Sequence, residues 1–281
     1  MKIITRKKAL QQILQKYKKG ARSVGFVPTM GCLHDGHVSL IRRAREENEC
    51  VVVSIFVNPL QFGPREDFER YPRARARDYA LCKKEKVDIV YAPSARHMYP
   101  QPFLTTVSVT ALTDCLCGRV REGHFDGVAT VVCKLLQHVV PERAYFGKKD
   151  YQQLCVIKQM VHDLDLPVTV IGCPTVREHD GIALSSRNRY LSANERVRAR
   201  VLFHSLKDAK ERIRSGERSV KNIIRIMRQM ITKAADAVDY VAIRDAKTLA
   251  PVKTVRGRVV IATAAYFGRA RLIDNMEIAV T

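Results

Sequence analysis

Apolar and polar positions along the chain alternate between two periods. Runs that read as buried strands alternate with stretches whose apolar residues recur every three to four positions. A helix is expected over about 7–19, closed by Gly20, and then a strand over about 23–27. A second helix follows, with Val38, Leu40, Ile41 and Ala44 on one face. Cys50 to Val57 (Cys-Val-Val-Val-Ser-Ile-Phe-Val) is apolar almost throughout, as in a strand covered on both faces of a parallel sheet. A helix over about 73–85 and the strand Val87 to Tyr91 continue the alternation. Thr105 to Val109 reads as strand, Gly118 to Gly127 as a glycine-rich loop, and Val128 to Val139 as an amphipathic helix. The short strand Ala144-Tyr145-Phe146, a helix to about Leu164 and the strand Val168 to Ile171 complete this part.

This order predicts an α/β fold, a Rossmann-like doubly wound parallel sheet, with ligands beyond the carboxyl ends of the strands. After about Thr175 the character changes. A polar loop, Asp180 to Arg189, leads to Ser192-Ala193-Asn194-Glu195, a capping box opening one long basic helix to about Gly216. A helix over 220–235 and strands near 238–243 and 258–264 predict a smaller α+β domain. Residues 1–175 and 176–281 are thus expected as two domains.

Composition narrows the function classes. Over 281 residues, 46% are hydrophobic and 27% charged, as in ordinary globular proteins. No apolar run approaches the ~20 residues of a membrane span, and the first residues lack a secretory pattern, so a cytoplasmic protein with no membrane partner is expected. Eight cysteines are scattered with no C-x-x-C, which argues against a zinc or disulfide framework. The net charge of +21 raises the alternative of a basic RNA-binding protein. The excess is spread, however: residues 176–281 carry +11 and the front part +10. The densest run, Arg196 to Arg228, holds a single aromatic, Phe203, for base stacking, so no nucleic-acid partner is expected.

Candidate chemistry sits at the strand ends. Val27 to His37 (Val-Pro-Thr-Met-Gly-Cys-Leu-His-Asp-Gly-His) joins a strand to a helix, where backbone N–H groups and the helix dipole favour an anion. His34 and His37, three apart, fall on one side of the first turn. Two loop histidines without a role, or a zinc pair, are competing readings. A nucleotide α-phosphate site is the third, since phosphoryl and nucleotidyl transfer need mainly positioning and charge stabilisation. At a second strand end, Lys149 suits phosphate and Asp150 a ribose hydroxyl. Ser185-Ser186-Arg187 offers two hydroxyls and a guanidinium, a set that grips phosphate oxygens. Together these point to a nucleotide-using enzyme.

The motifs also carry a resemblance. Val27-Pro28-Thr29-Met30-Gly31 with His34-Asp35-Gly36-His37, Val53 to Pro59 with Gln61-Phe62, and Tyr71-Pro72-Arg73 are part of it. Gly123-His124-Phe125 with Gly127-Val128, Phe146-Gly147 with Lys149 to Gln153, Ala183 to Asn188, and Arg271 to Asn275 complete it. In this order the sequence resembles the pantothenate synthetase (pantoate–β-alanine ligase) family of the H-x-G-H nucleotidyltransferase-like superfamily.

The resemblance implies that ATP and pantoate form a pantoyl adenylate and pyrophosphate. β-Alanine then displaces AMP, giving pantothenate. It implies His34 and His37 at the α-phosphate, with Lys149, Ser185, Ser186 and Arg187 also on phosphates. Gly147 and Asp150 would lie at the ribose, and Met30, Val176 and Leu184 would line the nucleotide. Gln61 and Gln153 would hydrogen-bond pantoate, and Asn58, Tyr71, Asp78, Arg121 and His124 would support the pocket. Catalysis would rest on His37, His34, Lys149, Ser185 and Arg187. Mg2+ would arrive on ATP with no side-chain metal ligands, and the assembly would be a homodimer. Lys148, usually glutamate in the family, and Glu122, usually proline, depart from the pattern. Another nucleotidyltransferase of the superfamily remains an alternative, though the glutamine pair suits a small hydroxy acid.

Overall fold

The computed structural model describes residues 1–64 and 66–280. In chain order the elements begin β1 (Lys2–Ile4), α1 (Lys7–Lys19), β2 (Val24–Thr29), α2 (Asp35–Glu47), β3 (Cys50–Ile55), α3 (Arg75–Lys84) and β4 (Ile89–Tyr91). They continue with α4 (Ala95–Met98), α5 (Leu116–Val120), α6 (His124–Val139), β5 (Arg143–Gly147), α7 (Tyr151–Asp163) and β6 (Thr169–Cys173). Last come α8 (Ala193–Ala199), α9 (Val201–Arg214), α10 (Val220–Thr232), β7 (Ala237–Asp245), β8 (Gly257–Phe267) and β9 (Ala270–Val280). Short 3-10 turns cover Pro59–Gln61, Lys148–Asp150 and Ser186–Tyr190.

The described chain forms two compact units. The first comprises 1–110, 121–148 and 156–174, and the second 111–120, 149–155 and 175–281. The short segments 111–120 and 149–155 therefore group with the later part of the chain, which a single boundary near 175 does not express.

The first unit holds a six-stranded sheet in the order β1-β4-β3-β2-β5-β6. Every pairing is parallel. The strand order reverses between β2 and β5, so the crevice beyond their carboxyl ends is the expected ligand site of a doubly wound sheet. All six residues of β3 are buried, as its apolar run requires. Helix α2 buries Val38, Leu40, Ile41 and Ala44, the last three in a core shared with Val27, Val51 and Val53. The second unit holds the antiparallel sheet β7-β8-β9. Its core joins Leu202, Leu206 and Ile213 of α9 with Ile223, Met227 and Ile231 of α10 and Val259 and Ile261 of β8.

Several elements differ from the sequence expectation. The Ser192–Glu195 capping box is present but opens α8, and Arg200 (φ −55°, ψ −24°) divides it from α9. Backbone there stays right-handed helical, so the long helix is interrupted by a bend and not by a loop. Thr105 to Val109 forms no strand; the Val107 N–H is satisfied by Thr130 Oγ1 at 2.9 Å instead of by a ladder. Much of the glycine-rich stretch is helical, in α5 and the first turn of α6. Strands β1 and β9 were not expected at all. In β9 the polar residues Asp274 and Asn275 are buried, which removes the alternation that announces a strand.

Candidate active site

In the first unit the loop between β2 and α2 is shaped by buried acceptors. Asp78 of α3, 1% exposed, accepts the N–H groups of Cys32 (2.9 Å) and Leu33 (2.8 Å) through its two oxygens. Gly31 sits at φ +83°, and a Cβ there would come within 2.9 Å of the Asp78 carboxylate, so the turn requires glycine. The chain then reaches His34, the N-cap of α2, with His37 in its first turn. Their rings lie 4.1 Å apart between centroids. The His34 N–H donates to His37 Nδ1 at 3.3 Å. An accepting Nδ1 places the proton of a neutral imidazole on Nε2, which makes that nitrogen the donor.

Gln61 stands in the 3-10 turn after β3 and is buried. Its Nε2 faces Met30 Sδ at 3.2 Å, and its Oε1 accepts from Asn58 Nδ2 at 3.1 Å. Asn58 also donates to the Gly127 carbonyl (3.0 Å) and accepts from the Tyr99 hydroxyl (2.7 Å). His124 Nδ1 lies 2.8 Å from the Gln61 carbonyl oxygen, and its Nε2 lies 2.8 Å from Arg121. Arg121 is gripped by both oxygens of Glu66, at 2.6 Å and 2.5 Å. Burial works to raise the Glu66 carboxyl, but Arg121 holds it below its ordinary range. At Gly127 of α6 a Cβ would stand 2.2 Å from the Leu60 carbonyl oxygen. Only glycine lets that helix approach the turn carrying Gln61.

Thus Met30, His34, His37, Gln61, Asn58, Tyr71, Asp78, Arg121 and His124 all belong to the first unit, with Gly147 at the end of β5. Lys149, Asp150, Gln153, Val176, Leu184, Ser185, Ser186 and Arg187 belong to the second. There the Leu184 N–H bonds to the Val176 carbonyl (3.0 Å), closing a small hairpin that sets these two residues side by side. Ser185 then caps the 3-10 turn Ser186–Tyr190, its hydroxyl accepting from the Arg187 N–H at 3.3 Å. Asn188 Nδ2 ties the turn back to Glu178 (2.9 Å) and to the Ala183 carbonyl (3.1 Å). Glu178 is also paired with Arg196, which lies 3.0 Å from Asp180. Burial opposes ionisation of Glu178, yet the hydrogen bonds from Arg196 and Asn188 keep its carboxyl below the usual value. Lys149 Nζ stands 3.5 Å from the Asp150 carboxylate.

Chemically, the first unit offers imidazole donors beside a pocket of amide groups, and the second offers cations and hydroxyls suited to phosphate. Among the described residues no group of three or more His, Cys, Asp and Glu is arranged to hold a metal ion, and no helix is long and apolar enough to cross a membrane. Sequence reasoning gave no role to Glu66, Tyr99 or Gly127. Glu66 and Tyr99 reach their partners 55 and 41 residues away, and no local motif marks such pairs. Asp274 and Asn275 lie in the Arg271 to Asn275 motif, whose residue types alone mark no role for them.

The chain matches the family model for pantoate-beta-alanine ligase over residues 2–277. It is 50% identical to the pantothenate synthetase of Caldicellulosiruptor bescii over 279 residues, 99% of each chain. It is 55% identical to that of Heliobacterium modesticaldum over 260 residues, 92% of each. Among solved structures, pantothenate synthetase from Thermus thermophilus matches with a TM-score of 0.95 at 47% identity, covering 100% of both chains. The pantoate-beta-alanine ligase of Francisella tularensis, complexed with beta-gamma ATP and beta-alanine, matches with a TM-score of 0.81 at 34% identity. That alignment covers 98% of this chain and 97% of the other.

Proposed function

The chain belongs to the pantoate–β-alanine ligase family, an ATP-dependent ligase joining pantoate to β-alanine, and we propose that it works through a pantoyl-adenylate intermediate held by the residues above. A free carboxylate and an amine do not condense at neutral pH, so the acid must first gain a leaving group. In the first step a pantoate carboxylate oxygen attacks the α-phosphorus of ATP. The bond to the bridging oxygen breaks and pyrophosphate leaves. In the second step the free amine of β-alanine attacks the acyl carbon, AMP leaves with the former carboxylate oxygen, and the amine proton passes to solvent.

His37 and His34 stabilise charge on the α-phosphoryl oxygens. The observation that carries this reading is the His34 N–H bond to His37 Nδ1, which leaves Nε2–H as the donor. Lys149, Ser185, Ser186 and Arg187 hold phosphates, Gly147 and Asp150 meet the ribose, and Met30, Val176 and Leu184 line the nucleotide. Gln61 and Gln153 hydrogen-bond pantoate, and Asn58 fixes the amide orientation of Gln61 by donating to its Oε1. Mg2+ would be carried on the ATP phosphate oxygens, where it lowers the charge of the departing pyrophosphate; the cationic and hydroxyl donors here suit a nucleotide delivered in that form. A homodimer in the cytoplasm completes the proposal, and the eight free thiols accord with a reducing compartment.

Turnover with ATP, pantoate and β-alanine tests it. Pantoate-dependent pyrophosphate release without β-alanine, followed by β-alanine-dependent AMP release, is expected. Pyrophosphate release that requires β-alanine as well as pantoate would sink the adenylate. His37→Ala is expected to slow pyrophosphate release roughly a hundredfold, since one such donor contributes ~3 kcal/mol in the transition state. Wild-type rates in that variant would remove the phosphate role.

A further inference from the structure

The dipeptide Asp274-Asn275 on β9 is almost wholly buried, Asp274 at 3% exposure and Asn275 at 8%. Two polar side chains inside a small α+β core are costly unless each meets a partner. Both do, and the partners lie in the two loops to which the nucleotide was assigned. Asn275 Nδ2 donates to the backbone carbonyl of Lys149 at 2.7 Å. Asp274 receives Arg177 through both oxygens, at 2.6 Å and 2.9 Å. Arg177 follows Val176 and also donates to the Gly181 carbonyl at 3.0 Å, closing the turn of the hairpin that ends at Leu184. Burial pushes the Asp274 carboxyl up, while Arg177 and the charge of nearby Lys149 pull it down.

Successive side chains of a strand point to opposite sides, which allows adjacent residues to serve two loops. The register of β9 against β8 pairs Asp274 with Thr263 and Asn275 with Ala262. The Thr263 hydroxyl donates to the Asp274 carbonyl at 3.3 Å. The dipeptide is thus fixed midway along the edge strand β9 by its pairing with β8, a stiff base for two loops that have no strand pairing with each other.

We propose that Asp274 and Asn275 are positioning residues for the nucleotide, a single clamp that sets the lysine-bearing loop at 149–150 against the hairpin at 176–184. This rests on the assignment of ATP to those loops. Neither residue is taken to touch the substrate. Their effect reaches ATP through the backbone of Lys149 and the carbonyl turn held by Arg177.

Asn275→Leu keeps the branched four-atom shape of the side chain, though not its volume, and removes the donor. Titration of the full chain with ATP and Mg2+, and steady-state KM values for all three substrates, then separate positioning from packing. The variant is expected to bind ATP about tenfold more weakly, the scale of one part-buried hydrogen bond, with KM for pantoate and β-alanine within about twofold of wild type. Asn275→Ser, smaller and with a shorter donor, is expected to show the same ATP-specific loss and stands in if the leucine variant does not fold. ATP binding unchanged in these variants, or a uniform fall in kcat with all KM values unchanged, would overturn the clamp. A wild-type chain that binds no ATP would overturn the ligase reading along with it. A wild-type chain that binds ATP beside unaffected variants would overturn the clamp alone.

Discussion

Two carboxylates hold two loops for which a phosphate role is proposed, and they do so by different means. In the parallel-sheet unit, Asp78 is 1% exposed and spends its oxygens on the amides of Cys32 and Leu33, just before His34. In the antiparallel unit, Glu178 holds the Ser185–Arg187 turn through Asn188, and is itself braced by Arg196. The Glu178 and Arg196 side chains remain 23% and 29% exposed. A buried carboxylate on backbone amides is insensitive to salt, and its loss strands donors that no water reaches. A part-exposed carboxylate in an ion pair is screened, and its neighbours can partly replace it. The comparison teaches that the histidine loop is built to be rigid, whereas the serine–arginine turn is built to be adjustable.

Asp78→Ala is the strongest test of that contrast. It leaves the Cys32 and Leu33 amides buried without their acceptor, at ~1–3 kcal/mol each, so a total loss of about 4 kcal/mol is expected. Denaturant unfolding measures it, and the same loss is expected at low and high salt. A loss that shrinks in high salt would mean Asp78 acts as part of an ion-pair network.

Acidification separates the two units by a second route. His138 of α6 is 5% exposed, with Nδ1 3.1 Å from the Tyr91 hydroxyl, and burial lowers its pKa to about 4 from an ordinary 6.5. The unfolded chain therefore binds this proton between 6.5 and about 4 while the folded chain refuses it. Stability from His138 is complete above pH 6.5, falls as pH drops through that window, and the loss approaches about 3 kcal/mol. Glu178 is shifted in the same direction but in a lower window: its folded pKa is depressed, so its contribution is full above the ordinary 4.5 and is lost only as pH falls below that. Between pH 7 and 4.5 the amide protection factors, corrected for the intrinsic pH dependence of exchange, are thus expected to drop in α6 and β4 before they drop over 176–191. Equal loss in both segments, or an unchanged profile in His138→Gln, would contradict the assignment to this imidazole.

The sequence was most legible where signals are short-range. The β3 run, the α2 face, the Ser192–Glu195 box and the strand-to-helix passage at His34 and His37 each fit within a dozen residues, and all are present. The residues that fix the site are the illegible part. Asp78 acts 45 residues from Leu33, Glu66 acts 55 from Arg121, and Asn275 acts 126 from Lys149. Such partners share no period and no motif, only a fold. Strand β9 shows the cost of this in reverse. Its buried Asp274 and Asn275 serve loops elsewhere, so the same side chains that hold the site erased the strand pattern from the sequence.

Glu178→Gln is the mildest way to test the comparison. The amide keeps one oxygen, and Asn188 claims it, which turns the new NH2 toward Arg196, where a donor meets a donor. Two features limit the damage. Arg196 retains Asp180 at 3.0 Å, and loss of the Glu178 charge relieves its repulsion with that aspartate. The expected cost is about 1 kcal/mol at low salt, in the range of a part-exposed pair, with a few-fold weaker hold on ATP. In about 1 M salt, where the Debye length is near 3 Å, the stability difference from wild type is expected to fall well below that. A difference that persists undiminished in high salt would show that Glu178, like Asp78, works as a buried hydrogen-bond acceptor, and the contrast between the two loops would then vanish.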